Sequence, residues 1–145
     1  FQGAAAEDLA CIAAQSVDVA LCTGALEHMP DKRLVLVQIE RVLTAGGRFV
    51  CLTANADHLW HRLASRFGFD VAHLSTDAFV AARPLRGLLA DAGLQVRELG
   101  YWSFVAKGDM PPWAARSAAL LDGVGRAVAA RWLRGGLYVC AVKGE

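Results

Sequence analysis

Apolar and polar residues follow two rhythms along this chain. Val17-Asp18-Val19-Ala20-Leu21-Cys22 is a short, nearly continuous apolar run closed by Thr23-Gly24, the pattern of a strand buried on both faces. From Asp31 to Leu43 the period lengthens. Leu34, Val35, Ile39, Val42 and Leu43 recur at helical spacing, with Pro30-Asp31 suited to the start and Gly46-Gly47 to the end. Arg48-Phe49-Val50-Cys51-Leu52-Thr53 then reads as a second buried strand. Strand, helix and strand with short joints predict a βαβ unit and so a parallel sheet.

The alternation continues. Asp57 to Phe67 is predicted helical, with Leu59, Trp60, Leu63 and Phe67 on one face, followed by a looser stretch from Gly68 to Ala82. Pro84 opens a helix holding Leu85, Leu88 and Leu89 that Gly93 ends. Leu94 to Phe104 reads as a third strand and Asp109-Met110-Pro111-Pro112 as a turn. Trp113 to Arg134 carries Trp113, Leu120, Leu121, Val124, Val128 and Trp132 on one stripe, with Arg116, Arg126 and Arg134 toward the other, solvated side. Gly123 and Gly125 weaken that helix by roughly 1 kcal/mol each. Gly135-Gly136 ends it, and Leu137 to Val142 is the last strand. Nothing marks a repeat, a low-complexity linker or a domain boundary.

Composition narrows the function classes. The chain has 145 residues, 55% apolar and 20% charged, with 15 Lys+Arg against 14 Asp+Glu. That balance excludes an intrinsically disordered chain, and it leaves no basic excess for binding nucleic acid by bulk charge. The longest uncharged stretches, Leu9–Val17, Val19–Leu26 and Leu99–Ala106, fall far short of the roughly 18 apolar residues a membrane span needs. Cys11, Cys22, Cys51 and Cys140 lie far apart, and three sit in Val/Leu-rich runs. Such cysteines are expected to be reduced, buried and cytoplasmic rather than metal ligands.

The stretch from Ser16-Val17-Asp18-Val19 through Thr23-Gly24-Ala25-Leu26-Glu27-His28-Met29-Pro30-Asp31, with Glu40-Arg41-Val42-Leu43-Thr44-Ala45-Gly46-Gly47-Arg48-Phe49-Val50 downstream, resembles the class I S-adenosylmethionine-dependent methyltransferases. The likeness is strongest to the type-11 group that includes ubiquinone/menaquinone methyltransferases. Ala5-Ala6-Glu7-Asp8-Leu9 resembles that family's loop along the adenine. His73-Leu74-Ser75 and Leu85-Arg86-Gly87-Leu88-Leu89-Ala90-Asp91-Ala92-Gly93-Leu94-Gln95-Val96 resemble the run into its sixth strand.

The resemblance implies an α/β, Rossmann-like three-layer fold, of which residues 1–145 form a single partial domain with strands in the order 4-5-7-6 and the last one antiparallel. The family's glycine-rich loop and its ribose-binding acid are expected before Phe1, so the chain reads as part of a longer protein whose 145 residues alone do not turn over. Ala5 stands where the family has Asp.

Carried over residue by residue, the resemblance places Ala6, Glu7 and Asp8 beside the adenine of S-adenosyl-L-methionine. It places Thr23 near the methionine or sulfonium, where topology alone also puts ligands. Glu27 and His28 overlook the acceptor. His28 is the candidate general base, with packing or capping against the helix at Asp31 as the alternative. For Glu27 a solvated loop carboxylate is expected. The acceptor implied is a small or lipid-like molecule, and a non-enzymatic methyltransferase-like interaction module is the alternative. Homo-oligomerisation through an exposed sheet edge is the partner reading; no nucleic acid is expected. Asp57-His58-x-x-His61 with His73 gives no metal expectation, and Trp60, Trp102 and Trp113 are expected in the core or along a substrate pocket.

Overall fold

The computed structural model describes residues 3–59, 66, 78–102 and 112–144. The helix expected over Asp57–Phe67, apart from its first residues, the stretch from Gly68 to Asp77, and the Asp109-Met110-Pro111 turn lie outside the described residues, as do Trp60, His61 and His73. The strands are β1 (Val17–Thr23), β2 (Leu43–Ala54), β3 (Leu94–Trp102) and β4 (Gly136–Lys143). The helices are α1 (Lys32–Val42), α2 (Ala82–Asp91) and α3 (Pro112–Ala127), with single 3-10 turns at Leu26–His28 and Arg131–Leu133.

The sheet runs β1-β2-β4-β3. β1 and β2 are parallel, and β4 is antiparallel to both β2 and β3. This is the strand order expected from sequence, and the carboxyl ends of β1, β2 and β3 share one edge of the sheet.

Each helix begins and ends for local reasons. Asp31 caps α1 by accepting from the backbone N–H of Leu34 at 2.9 Å. α1 stops at Val42, earlier than the Gly46-Gly47 pair had suggested. Leu43 is already extended and pairs with Val17, and pairing resumes at Val19 with Arg48. The two glycines make the turn between those contacts. Gly46 has φ +72, and a Cβ on Gly47 would lie 2.8 Å from the carbonyl oxygen of Thr44, so neither position accepts a side chain without strain.

The core lies on one face of the sheet. Val35, Leu36 and Ile39 of α1 and Leu85 and Leu89 of α2 close over Cys22, Phe49, Cys51, Leu137, Val139 and Ala141. Leu36 takes the inward place expected for Leu34, which is 41% exposed. On the opposite face Val50, Leu52, Tyr138, Cys140 and Val142 are only half-buried. The expectation that β1 is buried on both sides is corrected here. Among the described residues β1 is an edge strand, and Val19 and Leu21 are 58% and 67% exposed.

The segment after β3 also departs from its reading. α3 ends at Ala127, and the chain reverses through Ala129 at φ 53 into the Arg131–Leu133 turn. The apolar stripe points outward, with Trp113, Leu120, Val124, Val128 and Trp132 all exposed. The inward positions are Asp122 and Gly125. A Cβ on Gly125 would come within 2.4 Å of Leu133 Cβ, so contact with the returning chain selects glycine where periodicity had promised an apolar side chain.

Candidate functional site

Topology directs attention to the carboxyl ends of the parallel strands, where open α/β sheets hold their ligands. A cavity of about 480 Å³ runs along β1 beneath the amino-terminal segment. It is lined by Ala6 and Leu9, by Ala20, Cys22 and Thr23, and by Met29 and Ile39 among others. Two of the residues singled out from sequence, Ala6 and Thr23, thus face one space. Glu7, Asp8 and His28 are not among its lining residues. Asp8 is exposed, and its carboxylate accepts from the backbone N–H of Ala10 at 3.1 Å. Glu7 is half-buried.

The roof of this cavity is held by a residue that carried no role in the sequence. Arg41, near the end of α1, donates to the carbonyl of Leu9 at 2.7 Å and to that of Ile12 at 3.1 Å. One guanidinium fork fixes two turns of the amino-terminal segment. Its signal in the sequence is the arginine of Arg41-Val42-Leu43.

Glu27 corrects its expectation. It is 4% exposed, inside the 3-10 turn that follows β1. The Thr53 hydroxyl at the end of β2 donates to Glu27 Oε2 at 2.6 Å, and the Glu27 carbonyl accepts from the backbone of Ala78 at 2.9 Å. A buried carboxyl without such partners would be costly. The strand-ending pair Thr53 and Asn55 was the available signal, two polar residues closing an apolar run. His28, the last residue of the same turn, is half-buried, and its backbone N–H donates to Ala25. The side chain that accepts from the first turn of α1 is that of Asp31.

Cys22 and Cys51 are register partners on β1 and β2 and both face the core. Their thiols are hydrogen-bonded. That bond is the first cause that pushes the Cys51 thiol up, followed by burial and by the charges of Cys22 and Glu27, and the same bond draws Cys22 down. Of the four cysteines only Cys11 is exposed.

A second polar cluster ties the end of β2 to the returning chain. Asn55, wholly buried, donates to the carbonyls of Arg131 at 3.2 Å and Arg134 at 2.8 Å. Asp122 accepts from the Gly135 backbone at 3.0 Å and pairs with Arg134 Nε at 3.4 Å. Arg134 is therefore not part of a solvated face. His58 is buried beside them. Burial draws its imidazole below the ordinary value, against Asp122 and a hydrogen bond to the Leu133 backbone, which pull the other way. Among the described residues no group of three His, Cys, Asp or Glu is placed to hold a metal ion. Trp102 stacks over Gly136 and donates to the Leu137 carbonyl at 3.1 Å, while Trp113 is 61% exposed rather than in the core. No helix among the described residues is long and apolar enough to cross a membrane.

Comparison with known proteins agrees with the fold. No curated protein matches the chain at a significant level. Among solved structures, one similar chain comes from the complex between the Haloferax volcanii Trm112 methyltransferase activator and a methyltransferase, at 22% identity and TM-score 0.68, over 97% of this chain and 59% of that one. A SAM-dependent methyltransferase of Methanosarcina mazei is similar at 16% identity and TM-score 0.68, over 99% and 66%. The geranyl diphosphate C-methyltransferase of Streptomyces coelicolor A3(2), solved with S-adenosyl-L-homocysteine, is similar at 13% identity and TM-score 0.64, over 98% and 53%. The chain thus spans between about half and two thirds of the length of these structures. Residues 1–99 match the sequence family described as Methyltransferase domain, and the chain belongs to that family.

Proposed function

We propose that the protein serves S-adenosyl-L-methionine-dependent methyl transfer to a small or lipid-like acceptor, with the cofactor along β1. The observation that carries this reading is the convergence of Ala6 and Thr23 on one cavity, joined to membership of the family. The fit is chemical. The cavity wall is largely apolar, as an adenine requires, and Thr23 at the strand end brings a hydroxyl to the more polar end of the ligand. The bound cofactor would supply an electrophilic methyl group on a sulfonium. The chain's own contribution is to align and to exclude water. Glu7 and Asp8 then act from the rim of the site, and His28 is the candidate base for an acceptor that arrives protonated.

Binding is the appropriate readout, given the share of its structural relatives that the chain spans. In amide NMR spectra, S-adenosyl-L-homocysteine is expected to shift Ala6 and Thr23 first, and Thr23→Arg is expected to abolish those shifts. Saturable shifts centred elsewhere, or none up to millimolar ligand, would refute the reading.

A second reading has its own observation. The open edge of β1, with Val19 and Leu21 exposed, is what an interaction module would pair with another chain or a second copy. Sedimentation distinguishes it. Self-association abolished by Val19→Lys with Leu21→Lys favours pairing through that edge.

A further inference from the structure

Away from the β1 cavity, at the other end of the same sheet edge, five arginines from separate stretches of chain converge. Arg83 and Arg86 stand on the first turns of α2, Arg126 near the end of α3, and Arg131 and Arg134 on the returning chain. Together they line a cleft of about 610 Å³ whose floor includes Tyr101 of β3. One carboxylate stands among them, Asp122, and it is already committed to Arg134 at 3.4 Å. Among the described residues no carboxylate pairs with Arg83, Arg86, Arg126 or Arg131. Among the described residues, then, four positive charges stand without a paired carboxylate, in a chain whose total is +1, so the charges of all its other residues sum to a negative value.

Placing like charges around one concavity opposes folding, yet the chain is built to do it. Ala129 takes the left-handed conformation at φ 53, which costs a residue with a Cβ free energy. Gly125 permits the close return, and Asn55 holds the carbonyls of Arg131 and Arg134. Arg134 itself is fixed, 15% exposed, between Asp122 and the carbonyl of Tyr101 at 3.4 Å.

We propose that this cleft is a binding site for the phosphate or diphosphate group of a small molecule. Guanidinium forks match phosphate oxygens in pairs, and four excess charges call for a multiply charged anion rather than a single carboxylate. A nucleic acid strand fits less well, because it would run from the cleft onto the net-negative remainder of the surface. The proposal is independent of the reading of the β1 cavity.

The test is a thermal and calorimetric titration of the chain with inorganic pyrophosphate in 150 mM NaCl. Saturable binding with a rise in melting temperature is expected, and added chloride of equal ionic strength is expected to give none. Arg86→Gln with Arg131→Gln is expected to weaken binding at least tenfold without lowering the melting temperature of the free protein, because removing mutual repulsion offsets any lost contact. Arg33→Gln, an exposed arginine of α1 outside the cleft, is expected to bind as wild type. Phenyl phosphate binding tenfold tighter than inorganic phosphate assigns the site to an organic phosphate, and equal affinity assigns it to a free anion. Absence of saturable binding, undiminished binding by the double variant, or tighter binding of a single-stranded RNA oligonucleotide through the same arginines would each overturn the proposal.

Discussion

Glu27 and Thr53 show how much one hydrogen bond can decide. The carboxyl is buried, and it accepts from the Thr53 hydroxyl at 2.6 Å. Thr53→Val keeps the shape and removes the donor, so it is expected to cost about 1–3 kcal/mol, read from urea unfolding, with Thr53→Ser restoring most of it. His58 sets a pH dependence. Its folded-state value lies below the ordinary 6.5, so below about pH 6.5 the unfolded chain takes up a proton that the folded chain refuses. Stability then falls as pH drops through that window, and His58→Gln is expected to flatten the slope of urea midpoints measured between pH 7.5 and 5. None of this was legible from residue type alone. A loop glutamate and a histidine after a strand are usually solvated, and their surroundings come from segments far away in sequence, Ala78 against Glu27 and Leu133 against His58. Thr23 and Ala6 were legible because a strand end and a motif each fix their own location.

Elements were read well where a single packing partner governs them and poorly where two compete. The period of α1 and the cap at Asp31 agree with its burial against β2, although the inward side includes Leu36 instead of Leu34. In α3 the periodicity pointed the wrong way, because the inward face is set by contact of Gly125 with Leu133 and by the Asp122 network. Two substitutions separate these effects. Gly125→Ala drives a methyl into Leu133 and is expected to destabilise by about 1–3 kcal/mol. Ala129→Gly relieves a left-handed alanine and is expected to stabilise by up to about 1 kcal/mol, after the added freedom of the unfolded glycine is subtracted. Both are measured by chemical denaturation. Arg41→Ala should release the amino-terminal segment, and hydrogen exchange at the amide of Ile12 is expected to rise while that of the β2–β4 ladder stays slow.

For the molecule as a whole, strand order was legible because the motifs, the βαβ pattern and the final apolar run each fix a neighbour. Which face of the sheet would be bare was not, since apolar content looks the same on a covered strand and an edge strand. The sheet also has an unusual timetable. β4 comes last of the four strands in the chain but lies between β2 and β3, pairing Ala54 with Gly136 and Arg48 with Val142. During synthesis β1, α1 and β2 can associate as soon as they emerge. β3, with α2 beside it, must wait for its strand partner until β4 leaves the ribosome and joins the two halves in one step. Contacts so distant in sequence make that step slow, and a chain released before Gly136 would be left as a βαβ unit and a stray strand for the cell's proteases to sort.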